Sequence, residues 1–114
     1  ELQVNGEPHL PELEAQRLFR ISQEALNNVV KHAQTDKAYL TLRFDGDRVF
    51  LQVEDQGIGF DPHSLSAAGD HMGLDGMQER VDAMGGVLTI DSFPGGGTRV
   101  TVEATSTNED YNDG

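Results

Sequence analysis

Hydrophobic positions along this chain follow two rhythms, and the change from one to the other marks the elements. Over residues 12–33, Leu18, Ser22, Ala25, Leu26, Val29 and Ala33 gather on one arc when successive residues are turned by about 100°. Arg20, Glu24, Asn28, Lys31 and His32 fall on the other side, so the spacing predicts a long amphipathic helix. "KAYLTLRF" and "RVFLQVE" alternate with period two instead. Ala38, Leu40, Leu42 and Phe44 share one face of the first run, and Val49, Leu51 and Val53 share one face of the second. The Asp45-Gly46 pair between them is a hairpin signal. Leu74, Met77, Val81 and Met84 return to helical spacing, and Gly85-Gly86 is read as the C-terminal cap. "VLTID" and "TRVTVEA" are two more strands, turned by "PGGG". The opening "ELQVN" reads as a short edge strand before a turn at Asn5-Gly6 and a loop holding Pro8 and Pro11. Residues 61–72 are polar, small and glycine-containing, and are expected to form a mobile loop.

The order strand, helix, strand, strand, helix, strand, strand predicts an α/β fold. We expect a two-layer α/β sandwich, with a mixed, mostly antiparallel sheet and helices on one face. The other face must then be polar enough for water or meet a partner. At 114 residues the chain is expected to form one domain over 1–104, followed by an acidic, disordered tail over 105–114, "TSTNEDYNDG". Cysteine is absent, and a chain of this length needs no disulfide to fold. The net charge of −12, from 20 acids against 8 Lys and Arg, argues against a nucleic-acid groove or an anionic membrane surface. No apolar run is long enough to insert in a membrane, so a cytoplasmic location is expected. The chain begins at Glu1 without a methionine, as a piece of a longer parent would. A polyanionic ligand would meet a repulsive field here, so backbone amides and a cation would have to offset it.

Two phosphate-binding signatures are excluded. No Gly-Lys-Ser/Thr occurs, so there is no P-loop, and "GIGFDP" puts Pro62 where a dinucleotide fingerprint needs its third glycine. Four other pieces remain. They are "EALNNVVKHA" on the long helix, "DQGIG" at a strand end, "GLDGMQER" at the second helix, and "GGGT" before the last strand.

In this order and spacing the four resemble the ATP-binding catalytic domain of sensor histidine kinases, in the wider superfamily of gyrase, Hsp90 and MutL. The nitrate-sensor and membrane-fluidity-sensor group is the most similar, through "QEALNN…KHA" and "GL.GM.ER", and the likeness runs over 13–102. It implies the Bergerat fold, with ATP and magnesium as cofactors. Asp55 would accept a hydrogen bond from the adenine amine, with Gly57 and Gly59 letting the backbone approach the base. Asn28 would offer magnesium a hard oxygen, with Glu24 one turn earlier as a base for the phosphoacceptor imidazole. Lys31 and His32 would meet phosphates, as would the amides of Gly73 and Leu74 at a helix N-terminus. Thr98 would set a hydroxyl near the adenine-binding acid.

The implied function is transfer of the γ-phosphoryl group of Mg-ATP to a histidine on a separate dimerisation segment of the parent kinase. A response regulator would follow indirectly. No nucleic acid partner is expected, and the isolated fragment is expected to be monomeric, whether or not its parent is membrane-anchored. None of His9, His32, His63 and His71 sits in an acceptor-like context, so this chain would be only the catalytic half. Blander readings stand beside these. Asp55 can cap a turn, Lys31 can belong to a solvated face, and His32 can complement the helix dipole. Gly85 and Gly86 are assigned to capping, and Met72, Met77 and Met84 to packing. Two other functions use the same fold: an ATP-dependent binding module, and a gyrase-type ATPase in which Glu24 activates water.

Overall fold

Five alternating stretches pair into one sheet: β1 (Leu2–Asn5), β2 (Ala38–Asp45), β3 (Arg48–Asp55), β4 (Val87–Ser92) and β5 (Thr98–Thr105). The computed structural model describes residues 2–6, 12–35, 37–60 and 74–105. The expected loop at 61–72, Gly73, His9 and the stretch 106–114 lie outside the described residues. Strand order is β1-β2-β3-β5-β4. β1 pairs parallel with β2, and every other pair is antiparallel. The two chain-adjacent hairpins, β2–β3 and β4–β5, are the ones the turn residues predict. β5 includes Thr105, so ordered strand extends one residue into the expected tail.

Period-two alternation sorts the strands into two faces. Val49, Leu51 and Val53 of β3 and Val100, Val102 and Ala104 of β5 are buried on the inner face. The outer face is a polar lattice. The Arg43 guanidinium lies 4.2 Å from the centre of the Phe50 ring. Gln52 Nε2 donates to Thr101 Oγ1 at 3.3 Å, and Arg99 reaches Glu54 at 3.5 Å. These cross-strand pairs let one side of the sheet face water.

The inner face is covered by α1 (Glu12–Asn28), which runs on into a π turn (Val29–Ala33), and by α2 (Leu74–Ala83). The main core joins Leu18 and Ile21 of α1 to Leu51, Met77, Val81 and Val102. The buried arc of α1 is rotated from the expected one. Ile21 is fully enclosed, while Leu26 is 37% exposed. Ser22 is half-buried, and its hydroxyl donates back to the Leu18 carbonyl at 2.9 Å. In α2, Met77, Val81 and Met84 are buried as the spacing predicts. The cap is a Schellman motif: Gly85 N–H donates to Asp82 O and Gly86 N–H to Val81 O, each at 3.0 Å.

The π turn was not expected from the pattern, and it explains the burial of Ala33. At about 100° per residue throughout, Ala33 would stand roughly 80° round the axis from Ala25. A wider turn, at roughly 80° per residue, brings it back over the sheet. Ala25, Val29, Ala33 and Val53 then form a second, smaller buried cluster. The Ala33 carbonyl accepts the Ile58 N–H at 2.9 Å, and Gln34 leaves the helix with φ of 56°. Among the described residues, no helix is long and apolar enough to cross a membrane.

Candidate functional site

Asp55 continues the inward parity of Val49, Leu51 and Val53, so its carboxylate points under the helices and not to water. It is 5% exposed. Register places Ala38 and Thr98 on either side of it, and Ser92 beyond Thr98. One end of an otherwise apolar sheet face therefore carries a row of three polar side chains, Asp55, Thr98 and Ser92.

Between this row and the π turn lies a cleft with about 440 Å³ of empty space, counting its open mouth. Its walls are apolar: Ala25, Val29 and Ala33 from the helix, Val53 and Val100 from the sheet. Asp55 and Thr98 supply polarity at the floor, while Asn28 and His32 supply it from the helix. Gly59 and Phe60 close one side. Apolar walls with a buried acceptor at the floor suit an aromatic base carrying an amine at its edge.

The loop after β3 is tied down at several points. Gly57 N–H donates to Asp55 Oδ1 at 2.8 Å, which orients the carboxylate and leaves it further acceptor capacity. Gly57 itself faces the helix. A Cβ there would run into the Ala33 carbonyl oxygen and lie 2.7 Å from the Ala33 methyl carbon. Its bare Cα therefore makes room for the π turn, where the sequence reading expected room for a base. Gly59 has φ of +65°, and a Cβ on it would meet the carbonyl oxygens of Phe93 and Gly97. The Ser92 hydroxyl joins three elements, at 2.9 Å each from Phe60 N, Gly97 O and Thr98 Oγ1.

The structure brings Asn28, His32, Asp55, Gly59 and Thr98 to one cleft. Gly57 stands behind it. Glu24 is half-buried one turn before Asn28, and Lys31 is exposed; neither is among the described residues lining the cleft. Leu74 opens α2, though its side chain, like Gly73 before it, lies outside the described residues. Sequence reasoning missed Ser92 and Phe60. The available signal was parity, since "VLTIDS" places Ser92 on the face of Leu88 and Ile90, where a polar residue needs a reason. Among the described residues no cluster of three or more His, Cys, Asp or Glu could hold a metal ion.

Comparison with known proteins identifies the family. The chain is 44% identical over 96 residues to the signal transduction histidine-protein kinase/phosphatase UhpB of Salmonella typhimurium, covering 84% of this chain and 18% of that protein. It is 38% identical over 87 residues to the signal transduction histidine-protein kinase/phosphatase DegS of Bacillus subtilis, covering 75% and 23%. The chain thus spans about a fifth of the length of these relatives. Among solved structures, the histidine kinase domain of the Erythrobacter litoralis EL346 blue-light activated histidine kinase superposes with a TM-score of 0.73. The superposition covers 97% of this chain and 54% of that one at 22% identity. The Acinetobacter baumannii histidine kinase AdeS gives 0.76 at 16% identity, over 95% and 54%. Both structures share the fold. Residues 14–108 match the model of one family, and the chain belongs to it: the histidine kinase-, DNA gyrase B- and HSP90-like ATPases.

Proposed function

We propose that the cleft binds Mg-ATP and presents its γ-phosphoryl group to a histidine on a separate segment of the parent protein. The observation that carries this reading is the buried Asp55 carboxylate on the floor of an apolar cleft, with Thr98 beside it. A carboxylate accepts from the exocyclic amine of adenine and repels the keto oxygen that guanine holds at the same place. The apolar walls would enclose the base, and Asn28 and His32, which line the helix side of the cleft, are assigned to the phosphate end.

Magnesium fits this donor set. Asn28 offers an amide oxygen, and this ion commonly takes few protein ligands while keeping waters and phosphate oxygens. When bound it would neutralise phosphate charge, which matters for a chain of net charge −12. His32, exposed Lys31 and the amides opening α2 are assigned to phosphates. Phosphoryl transfer of this kind is largely positioning and charge stabilisation. Glu24, not among the described residues lining the cleft and one turn from Asn28, is assigned to the incoming imidazole rather than to the nucleotide. The named relatives are histidine kinases, which favours this chemistry over a gyrase-type ATPase.

Calorimetric titration tests the first half. ATP should bind, GTP should bind far more weakly, and Asp55→Asn should lose about 1.5–3 kcal/mol with unchanged circular dichroism. Equal affinity for the two nucleotides would remove the adenine assignment. For the second half, the chain is mixed with the histidine-bearing segment of its parent and radiolabelled ATP. An acid-labile, base-stable phosphoprotein is expected. ATP binding without any transfer would favour an ATP-dependent binding module.

A further inference from the structure

Ser92 lies outside the cleft lining, yet it bonds to three elements that shape it. It is the last residue of β4 and half-buried, and register sets it directly beside Thr98. A hydroxyl has one proton and two lone pairs, so three hydrogen bonds saturate it. Phe60 N–H can only donate, and the Gly97 carbonyl can only accept. Ser92 therefore accepts from Phe60 and gives its own proton to Gly97. The third contact, to Thr98 Oγ1 at 2.9 Å, then has one polarity that keeps all three bonds: Thr98 donates to Ser92. That commits the Thr98 proton to Ser92 and leaves the hydroxyl, on a residue that lines the cleft, with acceptor capacity alone.

We propose that Ser92 is a positioning residue for nucleotide binding, acting through the Thr98 hydroxyl that it holds beside Asp55. The proposal rests on the reading of the cleft as an adenine site, and it adds a residue that never touches the base. Removing the Ser92 hydroxyl frees the Thr98 rotor and leaves Phe60 N–H and Gly97 O without their partner. A purely structural role would act through the last two alone. Coupling to Thr98 separates the two cases.

The experiment is a double-mutant cycle on ATP affinity, with Ser92→Ala, Thr98→Ala and the double variant titrated beside the parent chain. Ser92→Ala should weaken ATP about three- to tenfold, as befits a lost hydrogen bond. In the Thr98→Ala background the same change should cost less than about twofold, because the group through which Ser92 acts is gone. Ser92→Thr, which keeps a hydroxyl on a strand-favouring side chain, should recover most of the loss. Equal losses in both backgrounds would overturn the proposal while leaving the adenine reading intact. Failure of the parent chain to bind ATP would overturn both. Urea midpoints of the four proteins verify folding, and a variant that is unfolded in the titration is replaced by Ser92→Cys, for which the same non-additivity is required.

Discussion

Replacing Gly57 with alanine puts a methyl group where the helix already is. The added carbon would overlap the Ala33 carbonyl oxygen and sit 2.7 Å from Ala33 Cβ and 2.8 Å from its carbonyl carbon. Two of these neighbours are backbone, so no flexible side chain can swing aside. The Ala33 carbonyl is also the acceptor for Ile58 N–H at 2.9 Å, and separating the two segments breaks that bond. Losing it costs about 0.5–1.5 kcal/mol. Overpacking a tight contact adds about 1–3 kcal/mol. Together the expected destabilisation is about 1.5–4.5 kcal/mol, with the Asp55 loop displaced as well. Gly85→Ala is the control. Gly85 has φ of +70° but nothing within 4 Å of its missing Cβ, so only backbone strain of about 1–2 kcal/mol applies. Urea unfolding followed by circular dichroism should give a clearly lower midpoint for Gly57→Ala than for Gly85→Ala, at similar slope. ATP titration should show weakened binding only for Gly57→Ala. Two variants of matching stability, both with parental ATP affinity, would refute the claim that helix packing dictates this glycine.

Three further outcomes follow from other parts of the structure. Met77→Ala, at a fully enclosed position of the main core, should cost about 2–5 kcal/mol in urea unfolding, with ATP affinity unchanged below the transition. Glu54→Gln removes one partner of an exposed 3.5 Å ion pair, so the midpoint should move by less than about 1 kcal/mol and still less at high salt. Asn28→Ala should abolish most of the gain in ATP affinity on adding magnesium, yet leave binding in EDTA nearly as before. An equal loss with and without the metal would assign Asn28 to the nucleotide instead.

The parts of the fold that were legible are those where side-chain period and turn chemistry agree. Asp45-Gly46 joins two runs of clean alternation, and Gly85-Gly86 ends a run of helical spacing, so both boundaries could be read directly. Parity along β3 also carries an inward Asp55, a signal the sequence reading left unused when it ended the strand at Glu54. The rotation of α1 was harder, because an amphipathic pattern leaves a wide arc and the sheet decides its centre. That choice buries Ile21 and turns Leu26 outward. The π turn had no local signal, since Val29 fits ordinary helical spacing and Ala33 still falls within the wide arc that an amphipathic pattern allows. Strand order was equally hidden: β3 pairs with β5 across the middle of the sheet, a contact between distant segments. Ser92 was overlooked because serine beside a turn usually needs no partner, and only the register shows its neighbours.

The division of the interior into two clusters has a dynamic consequence. The main one contains Ile21, Leu51, Met77 and Met84, all essentially fully enclosed, whereas among the described residues the cluster at the cleft buries the smaller Ala25, Val29, Ala33 and Val53. Small side chains remove less apolar surface from water, so the cleft end should open at lower free energy than the rest. Amide hydrogen exchange would see this as faster exchange at Ile58 than at the central strand amides around Leu51. Nucleotide would then slow exchange at one end of the sheet and leave the other unchanged. The molecule keeps its rigidity and its responsiveness in separate places, so one can be strengthened without dulling the other.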